Sequence, residues 1–198
     1  MKKIREIIVG TNNSGKYKEI CDLLPNEIKK YSPKEFNISS PEEIGESFEE
    51  NSMIKASYFS KKTNLVCLSD DSGLEVDLLK GAPGIYSSRW GGIKNNFDEA
   101  IQKVFKEMSK IKKDWKRKNA AKFICCMTLF WPDGLNYSNT GVVKGKISAE
   151  KRGNNGFGYD PIFIPDGFDR TFGEMKPKLK MSIDHRFKAF IKMKKFFN

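Results

Sequence analysis

The segment from Gly10 to Lys16 contains the residue types of a phosphate-binding loop. It reads Gly-Thr-Asn-Asn-Ser-Gly-Lys, follows a short apolar run and precedes a predicted helix. Backbone N–H groups at a helix N-terminus attract phosphate, and so does a lysine ammonium. Tyr17 stands where a P-loop has the hydroxyl that binds Mg²⁺, which argues against a P-loop kinase or ATPase. We therefore predict a phosphate site, with an ordinary strand–turn–helix connection as the alternative.

Two adjacent carboxylates, Asp70 and Asp71, precede Ser72 and Gly73. We expect them at the end of a short strand over Leu65–Ser69. Like charges held side by side raise one another's pKa, and a Mg²⁺ ion beside them relieves the repulsion. A carboxylate there could also accept a proton from an attacking water molecule. The alternative is an acidic turn whose side chains bond to nearby backbone.

The segment from Glu42 to Glu50 is acidic and leads into another predicted helix. Its carboxylates could supply further metal ligands. They could equally do no more than complement the helix dipole, and the residues alone favour that second interpretation.

Glycine and aromatic residues alternate from Gly156 to Tyr159, just before Asp160. Glycine lets a backbone approach a ligand closely, and an aromatic ring offers a stacking face to a base. Asp160 could accept a hydrogen bond from a base N–H. The alternative is a glycine-rich loop with Phe157 in the core.

Three hydrogen-bond donors, Lys180, His185 and Arg186, stand close together near the C-terminal end. His185 is the sole histidine of the chain, and a lone histidine is usually structural. Next to Arg186 at a predicted helix start, it also suits a purine carbonyl or a phosphate.

The elements that must position these residues follow from hydrophobic periodicity and from capping signals. Strands and helices alternate first, and a long hairpin follows, which indicates an α/β fold with a mixed sheet. The predicted strands are Ile4–Val9, Leu65–Ser69, Phe123–Trp131 and Leu135–Ile147; the predicted helices are Lys16–Leu24, Ser47–Lys62, Asn96–Lys112 and Ser182–Phe197.

Composition narrows the function classes less than the motifs do. The 198 residues carry a formal net charge of +11, which suits either a polyanionic ligand or a lysine-rich surface without a specific partner. The four cysteines form no C-x-x-C pair, so a Cys/His zinc site is not expected. The N-terminus has the pattern of a first strand rather than of a signal peptide, and we expect a cytoplasmic protein.

Taken together, five blocks of the sequence resemble those of the inosine triphosphate pyrophosphatase family, also called Ham1-like or XTP/dITP pyrophosphatases. Each block alone has little specificity, whereas the five in the family's order are highly specific and span nearly the whole chain. The blocks are Thr11–Lys16, Glu43–Ala56, Asp70–Arg89, Gly156–Phe163 and Glu174–Arg186.

This resemblance implies an α/β fold with a long, twisted mixed sheet, flanking helices in two lobes and a central active-site cleft, all in one domain over residues 1–198. It implies hydrolysis of ITP, dITP and XTP to the monophosphate and pyrophosphate, with Mg²⁺ as cofactor. A homodimer is the implied assembly, with no nucleic-acid or membrane partner.

The resemblance also implies roles for individual residues. Asp71 would bind Mg²⁺ and act as general base, and Glu43 would be the second metal ligand, with its neighbour Glu42 left open as an alternative. The other implied residues bind substrate: Thr11, Asn12, Asn13, Ser14, Gly15, Lys16, Ser72, Phe157, Gly158, Tyr159, Asp160, Lys180, His185 and Arg186.

Three positions depart from the family pattern. Asp184 stands where a serine is usual, and it could pair with Arg186 or raise the pKa of His185. Ile44 and Trp90 stand where a threonine and a tyrosine or phenylalanine are common. Neither of these two changes removes a group with an implied catalytic role.

Three other functions compete with this one. A Maf-like pyrophosphatase for pyrimidine or modified nucleotides is disfavoured by the Phe-Gly-Tyr-Asp and His-Arg blocks. A nucleic-acid-binding protein would exploit the positive charge and bind in a salt-sensitive way. A P-loop phosphotransferase is disfavoured by Tyr17.

Overall fold

The computed structural model describes residues 3–92 and 96–197. Its six strands are β1 (Glu6–Val9), β2 (Lys29–Tyr31), β3 (Cys67–Val76), β4 (Ala120–Phe130), β5 (Asn136–Ile147) and β6 (Phe163–Pro165). Its α-helices are α1 (Ser14–Leu23), α2 (Phe48–Thr63), α3 (Phe97–Ile111), α4 (Pro177–Met181) and α5 (His185–Ile191). Short 3-10 helices cover Pro33–Phe36, Asp77–Leu79, Gly84–Tyr86, Trp115–Arg117, Asp160–Ile162, Phe172–Glu174 and Lys194–Phe196.

The strands form one sheet in the order β2-β1-β3-β4-β5-β6. Strand β1 runs parallel to both β2 and β3, and β5 runs antiparallel to β6. A tight turn from Trp131 to Leu135 joins β4 to β5, with the Trp131 N–H donating to the Leu135 carbonyl at 2.8 Å. The predicted α/β class, the mixed sheet and the hairpin are confirmed.

Helix starts follow the predicted capping residues. Ser47 caps α2, and its hydroxyl accepts from the Glu50 N–H at 3.1 Å. Asn96 caps α3 through bonds to the Asp98 and Glu99 N–H groups. Helix α1 begins two residues before the prediction, because the Asn13 side chain caps it and accepts from the Lys16 N–H at 3.0 Å.

Two predicted boundaries are wrong. Strand β3 does not end before the acidic pair but continues through Asp70, Asp71 and Ser72 to Val76. The single helix predicted over Ser182–Phe197 is instead α5 and the 3-10 helix Lys194–Phe196, and a separate helix, α4, ends just before that range at Met181. The N–H groups of residues 183 and 184 both donate to the Lys180 carbonyl, which ends α4 before α5 begins.

The chain divides into two compact units by its contacts. Unit 1 comprises Met1–Asp71, Cys125–Gly141 and His185–Asn198. Its core joins apolar residues of β1, α1, β4 and α5, with Ile7, Ile20, Met127 and Phe190 among them. A second apolar cluster in this unit packs Phe59 and Ala56 of α2 against Ile8.

Unit 2 comprises Ser72–Ile124 and Val142–Asp184. Its core is built on an aromatic group in which the Phe123 and Phe163 ring centroids lie 4.7 Å apart. Phe172 contacts both rings. The predicted single domain with a cleft between two lobes stays a prediction. No helix in the described part of the chain is long and apolar enough to cross a membrane.

Candidate active site

The candidate phosphate loop leaves β1 at Gly10, where the backbone is packed too closely for a side chain. A Cβ atom on Gly10 would lie 2.7 Å from Cys67 Sγ and 2.9 Å from the Phe59 ring. The buried Ser69 hydroxyl donates to the Gly10 carbonyl at 2.7 Å. The start of the loop is therefore fixed against β3, the strand that carries the acidic pair.

Polar side chains of the loop hold the loop itself. The Thr11 hydroxyl accepts from the Asn13 N–H at 3.2 Å, and Asn13 caps α1. The Asn12 amide donates to Ser40 Oγ at 3.0 Å, which links the loop to the segment before α2. Ser14 is exposed, and Gly15 and Lys16 are half-buried in the first turn of α1. Triphosphate binding by residues 11–16 stays a prediction.

Asp70 is fully buried and is held by two cations. Its Oδ2 atom lies 3.1 Å from Arg186 Nη2, 3.3 Å from Arg186 Nε and 3.4 Å from Lys16 Nζ. Burial alone would raise the pKa of Asp70, but the charges of Lys16 and Arg186 outweigh it and hold the pKa well below its usual range. Asp70 is thus an ionised anchor for both cations, a role the sequence did not reveal.

Asp71, the next residue of β3, meets a different cation. Its Oδ1 atom lies 3.3 Å from Lys55 Nζ and 3.9 Å from Lys16 Nζ. Burial raises the pKa of the Asp71 carboxyl, and the Lys55 and Lys16 charges oppose that rise only in part. A raised pKa suits a group that must take up a proton during a reaction.

Lys55 links the two residues predicted to bind metal. Its buried ammonium bonds to Glu43 as well as to Asp71. Burial would lower the pKa of Lys55, but the Asp71 and Glu43 carboxylates raise it overall. Glu42 is exposed, whereas Glu43 faces Lys55, so the structure places Glu43 at the site. Lys55 lies inside one of the five blocks that resemble the family, and that is the one sequence signal for it.

Glu43 and Asp71 fit a divalent cation. Both carboxylates contact one ammonium, so they are close enough to share one cation. Asp71 Oδ2 is buried and has no hydrogen-bond partner among residues 3–92 and 96–197. Within those residues no set of three or more His, Cys, Asp or Glu side chains is arranged for a metal. One or two carboxylates plus substrate phosphates is the usual protein site for Mg²⁺.

Arg186 was predicted to face a purine, and the structure gives it carboxylate partners in unit 1. Only 1% of it is exposed, and its guanidinium bonds to Glu19 as well as to Asp70. Glu19, one turn along α1 from Lys16, was missed because no local pattern marks it. His185 begins α5 and is also buried, with its backbone carbonyl packed against Gly141. Base recognition by His185 and Arg186 stays a prediction.

The remaining predicted residues form a compact group within unit 2. Asp160 accepts from Lys180 Nζ at 2.7 Å and from the Phe157 N–H at 2.9 Å. Lys180 Nζ lies 5.1 Å from the centroid of the Phe157 ring. Gly158 has a positive φ of 64°, which places Phe157 and Tyr159 on either side of a turn that favours glycine.

The two aromatic residues of this group differ in exposure. Tyr159 is a core residue, with its hydroxyl on the Ser87 carbonyl at 2.9 Å and its ring edge-on to Phe97. Phe157 keeps a partly exposed ring. Phe157 is therefore the better candidate for stacking on a base. Ser72, the first residue of this unit, is half-buried on β3 directly after Asp71.

The fold and these contacts define an α/β protein with a candidate phosphate-processing site. The model of the Ham1 family matches residues 7–196, and the chain belongs to this family. It is 40% identical to a dITP/XTP pyrophosphatase of Rhodospirillum centenum, over 93% of this chain and 90% of that protein. It is 41% identical to one of Agrobacterium fabrum, over 97% and 96%.

Solved structures agree with this assignment. A HAM1 protein from Coxiella burnetii superposes with a TM-score of 0.86 at 37% identity, covering 97% of this chain and 98% of that one. The Ham1 protein of Staphylococcus aureus gives a TM-score of 0.83 at 33% identity, covering 96% and 97%.

Proposed function

We propose that this chain is a Mg²⁺-dependent pyrophosphatase that hydrolyses ITP, dITP and XTP to the nucleoside monophosphate and pyrophosphate. One observation carries the proposal: Lys55 joins Glu43 to Asp71 while Lys16, at the end of the candidate phosphate loop, contacts Asp70 and Asp71. The relatives named dITP/XTP pyrophosphatase, matched over nine-tenths of the chain, support the substrate class.

Lys16 and the N-terminus of α1 would hold the triphosphate in this proposal. An ammonium and a helix N-terminus both favour phosphate, and α1 presents them together. Substrate binding would draw Lys16 towards phosphate, while Arg186 keeps Asp70 paired. Asp70 would therefore stay ionised whether or not a nucleotide is bound.

Asp71 would take the proton of the attacking water, and Glu43 and Asp71 would hold the metal. Bound Mg²⁺ would supply charge neutralisation for the phosphate chain. Lys55 would keep the two carboxylates together in the free protein, because its ammonium contacts both and so opposes their mutual repulsion. Attack at the α-phosphorus releases pyrophosphate as a single leaving group.

Selectivity would come from hydrogen-bond donors that face O6 of the purine. Adenine carries an amino group at that position, so buried donors would lose their acceptors with ATP. A site of this kind can reject the wrong substrate by about 10⁴-fold. Lys180, His185 and Arg186 are the candidate donors, Asp160 is the candidate acceptor, and Phe157 is the candidate stacking ring. The proposal includes a cytoplasmic homodimer that clears the nucleotide pool.

The test is product analysis with purified protein, ITP or ATP, and either Mg²⁺ or a chelator. We expect IMP and pyrophosphate from ITP, little product from ATP, and no turnover with the chelator. Orthophosphate plus IDP would instead indicate a P-loop-type or simple phosphatase reaction. Salt-sensitive oligonucleotide binding without turnover of ITP, dITP or XTP would favour the nucleic-acid-binding alternative.

A further inference from the structure

Glu43 lies in a stretch without regular secondary structure, between the 3-10 helix ending at Phe36 and the start of α2. On such a stretch, the position of a carboxylate depends on how firmly the neighbouring backbone is held. The backbone here is held by the first turns of α2. Asn51 Oδ1 accepts from the Gly45 N–H at 2.8 Å, and Glu50 Oε2 accepts from the Glu46 N–H at 2.8 Å.

Gly45 is pressed against this part of α2. A Cβ atom on Gly45 would lie 2.8 Å from Asn51 Oδ1 and 2.7 Å from Glu50 Cβ. Because residue 45 is glycine and has no side chain, its backbone N–H can approach Asn51 Oδ1 this closely. The bond from Gly45 to Asn51 is thus a close, specific contact made two residues after Glu43.

An asparagine at position 51 lowers the stability of the folded protein, because of the surroundings of its side chain. It is completely buried, and its Nδ2 atom has no hydrogen-bond partner among the residues that the structure describes. Burying an amide with donors unused costs free energy that an apolar side chain of similar size avoids. Packing alone does not account for an asparagine at this position, whereas the bond to Gly45 does.

Asn51 and Lys55 are four residues apart on α2 and so share one face of the helix. Lys55 holds the Glu43 side chain, and Asn51 holds the backbone beside it. We propose that Asn51 is a positioning residue that acts through Gly45 to set the Glu43 carboxylate relative to Asp71. This inference rests on the proposed function, in which Glu43 and Asp71 share a metal ion.

The test compares Asn51→Leu, which keeps the branching and number of side-chain heavy atoms but is somewhat larger and removes the acceptor, with Ser52→Ala as the matched control. Ser52 is also fully buried on α2, but its hydroxyl bonds to Thr128 Oγ1 at 2.6 Å, away from the backbone of Gly45. Amide hydrogen exchange of peptides over residues 39–47 should rise at least tenfold in Asn51→Leu and less than twofold in Ser52→Ala. Asn51→Ser, whose hydroxyl is too short to reach Gly45, replaces Asn51→Leu if that variant does not fold.

Two further measurements separate positioning from a purely structural role. Mn²⁺ affinity, followed by electron paramagnetic resonance, should fall at least fivefold in Asn51→Leu, and kcat for ITP should fall at least tenfold. In a Glu43→Gln background the same Asn51 change should lower kcat less than twofold, because it acts through Glu43. A full tenfold loss in that background overturns the proposal, and so does equal exchange in the two single variants. If the parent releases no pyrophosphate, the proposed function fails, while the exchange comparison still decides whether Asn51 holds the stretch.

Discussion

Lys55 and Asp71 form a buried ion pair with 3.3 Å between Nζ and Oδ1, and both side chains are 6% exposed. The same ammonium bonds to Glu43. A cation therefore already occupies the position between the two carboxylates that are proposed to share Mg²⁺.

Lys55→Met should be the most damaging single change at this site. It leaves two carboxylates facing each other in a buried setting, and removing one partner of a buried pair costs about 3–5 kcal/mol. We expect a lower free energy of unfolding in urea and a loss of activity towards ITP. Lys61→Met, at an exposed position of the same helix, should change neither quantity. Equal stability of the two variants would contradict a structural role for the pair.

Asp71→Asn should remove the proposed general base while Lys55 keeps Glu43 as its partner. General-base contributions are about 10²- to 10⁴-fold, so kcat for ITP should fall by roughly that factor. The melting temperature should fall less than in Lys55→Met, because the Lys55 ammonium still bonds to a carboxylate. Asp77→Asn, at an exposed position just after β3, is the control and should keep full activity. An Asp71→Asn enzyme with more than a tenth of the parent kcat would exclude the assignment.

Asp70→Asn should give a pH-dependent loss of stability. The pKa of Asp70 is lowered in the folded state by Lys16 and Arg186 against the opposing effect of burial. Its stabilising contribution is therefore complete above the unfolded-state pKa of about 3.9 and is lost as pH falls towards the folded-state pKa. Urea unfolding should show a gap of about 3–5 kcal/mol between parent and variant at pH 7, and a smaller gap at pH 3. A gap that is constant over this range would refute the linkage.

Arg186→Lys should weaken discrimination between ITP and ATP. Lysine keeps the positive charge but lacks the planar fork that now bonds Asp70 and Glu19. We expect the ratio of kcat/KM for ITP to that for ATP to drop at least tenfold, measured by pyrophosphate release. Lys188→Arg, on the exposed face of α5, should leave the ratio unchanged. If both variants keep the parent ratio, Arg186 serves Asp70 and Glu19 alone.

Gly156→Ala should disrupt the Asp160–Lys180 pair. A Cβ atom on Gly156 would lie 2.0 Å from Asp160 Oδ2, at a φ of 74°. Gly167→Ala is the matched control, because Gly167 has a φ of 84° and a Cβ atom there would meet nothing within 4 Å. Both variants place alanine at a positive φ, so that cost is common to them. Relative to Gly167→Ala, we expect Gly156→Ala to have a lower melting temperature and a higher KM for ITP, and this difference reports the loss of the Asp160–Lys180 pair. Identical losses would contradict the predicted disruption of the pair.

The sequence predicted those helices and strands that are marked by capping residues, turn residues or apolar runs within the element itself. Ser47 and Asn96 marked the starts of α2 and α3, and the apolar runs around Pro132–Gly134 marked the hairpin. Strands β2 and β6 have three residues each, too few for a period of two to stand out. The continuation of β3 through Asp70 and Asp71 was missed because carboxylates normally end a buried strand.

Partners distant in sequence explain both that error and the gaps in the predicted site. Asp70 and Asp71 are tolerated inside β3 because Arg186, Lys16 and Lys55 neutralise them. Lys55 and Glu19 lie on helices where a charged residue ordinarily faces solvent, so apart from the family block that contains Lys55 no local pattern distinguishes them. The family resemblance supplied Glu43 and Asp71, whereas the cations that hold them in place emerged only from the three-dimensional contacts.

The guanidinium of Arg186 joins Asp70, 116 residues earlier, and Glu19, 167 residues earlier. During protein synthesis, Glu19 and Asp70 are made before Arg186. In the growing chain, the Glu19 and Asp70 carboxylates cannot pair with Arg186 of α5 until that residue has left the ribosome. Contacts of such long sequence separation cost loop-closure entropy and are associated with slow folding. The nascent protein therefore cannot complete this charge cluster before Arg186 has been made.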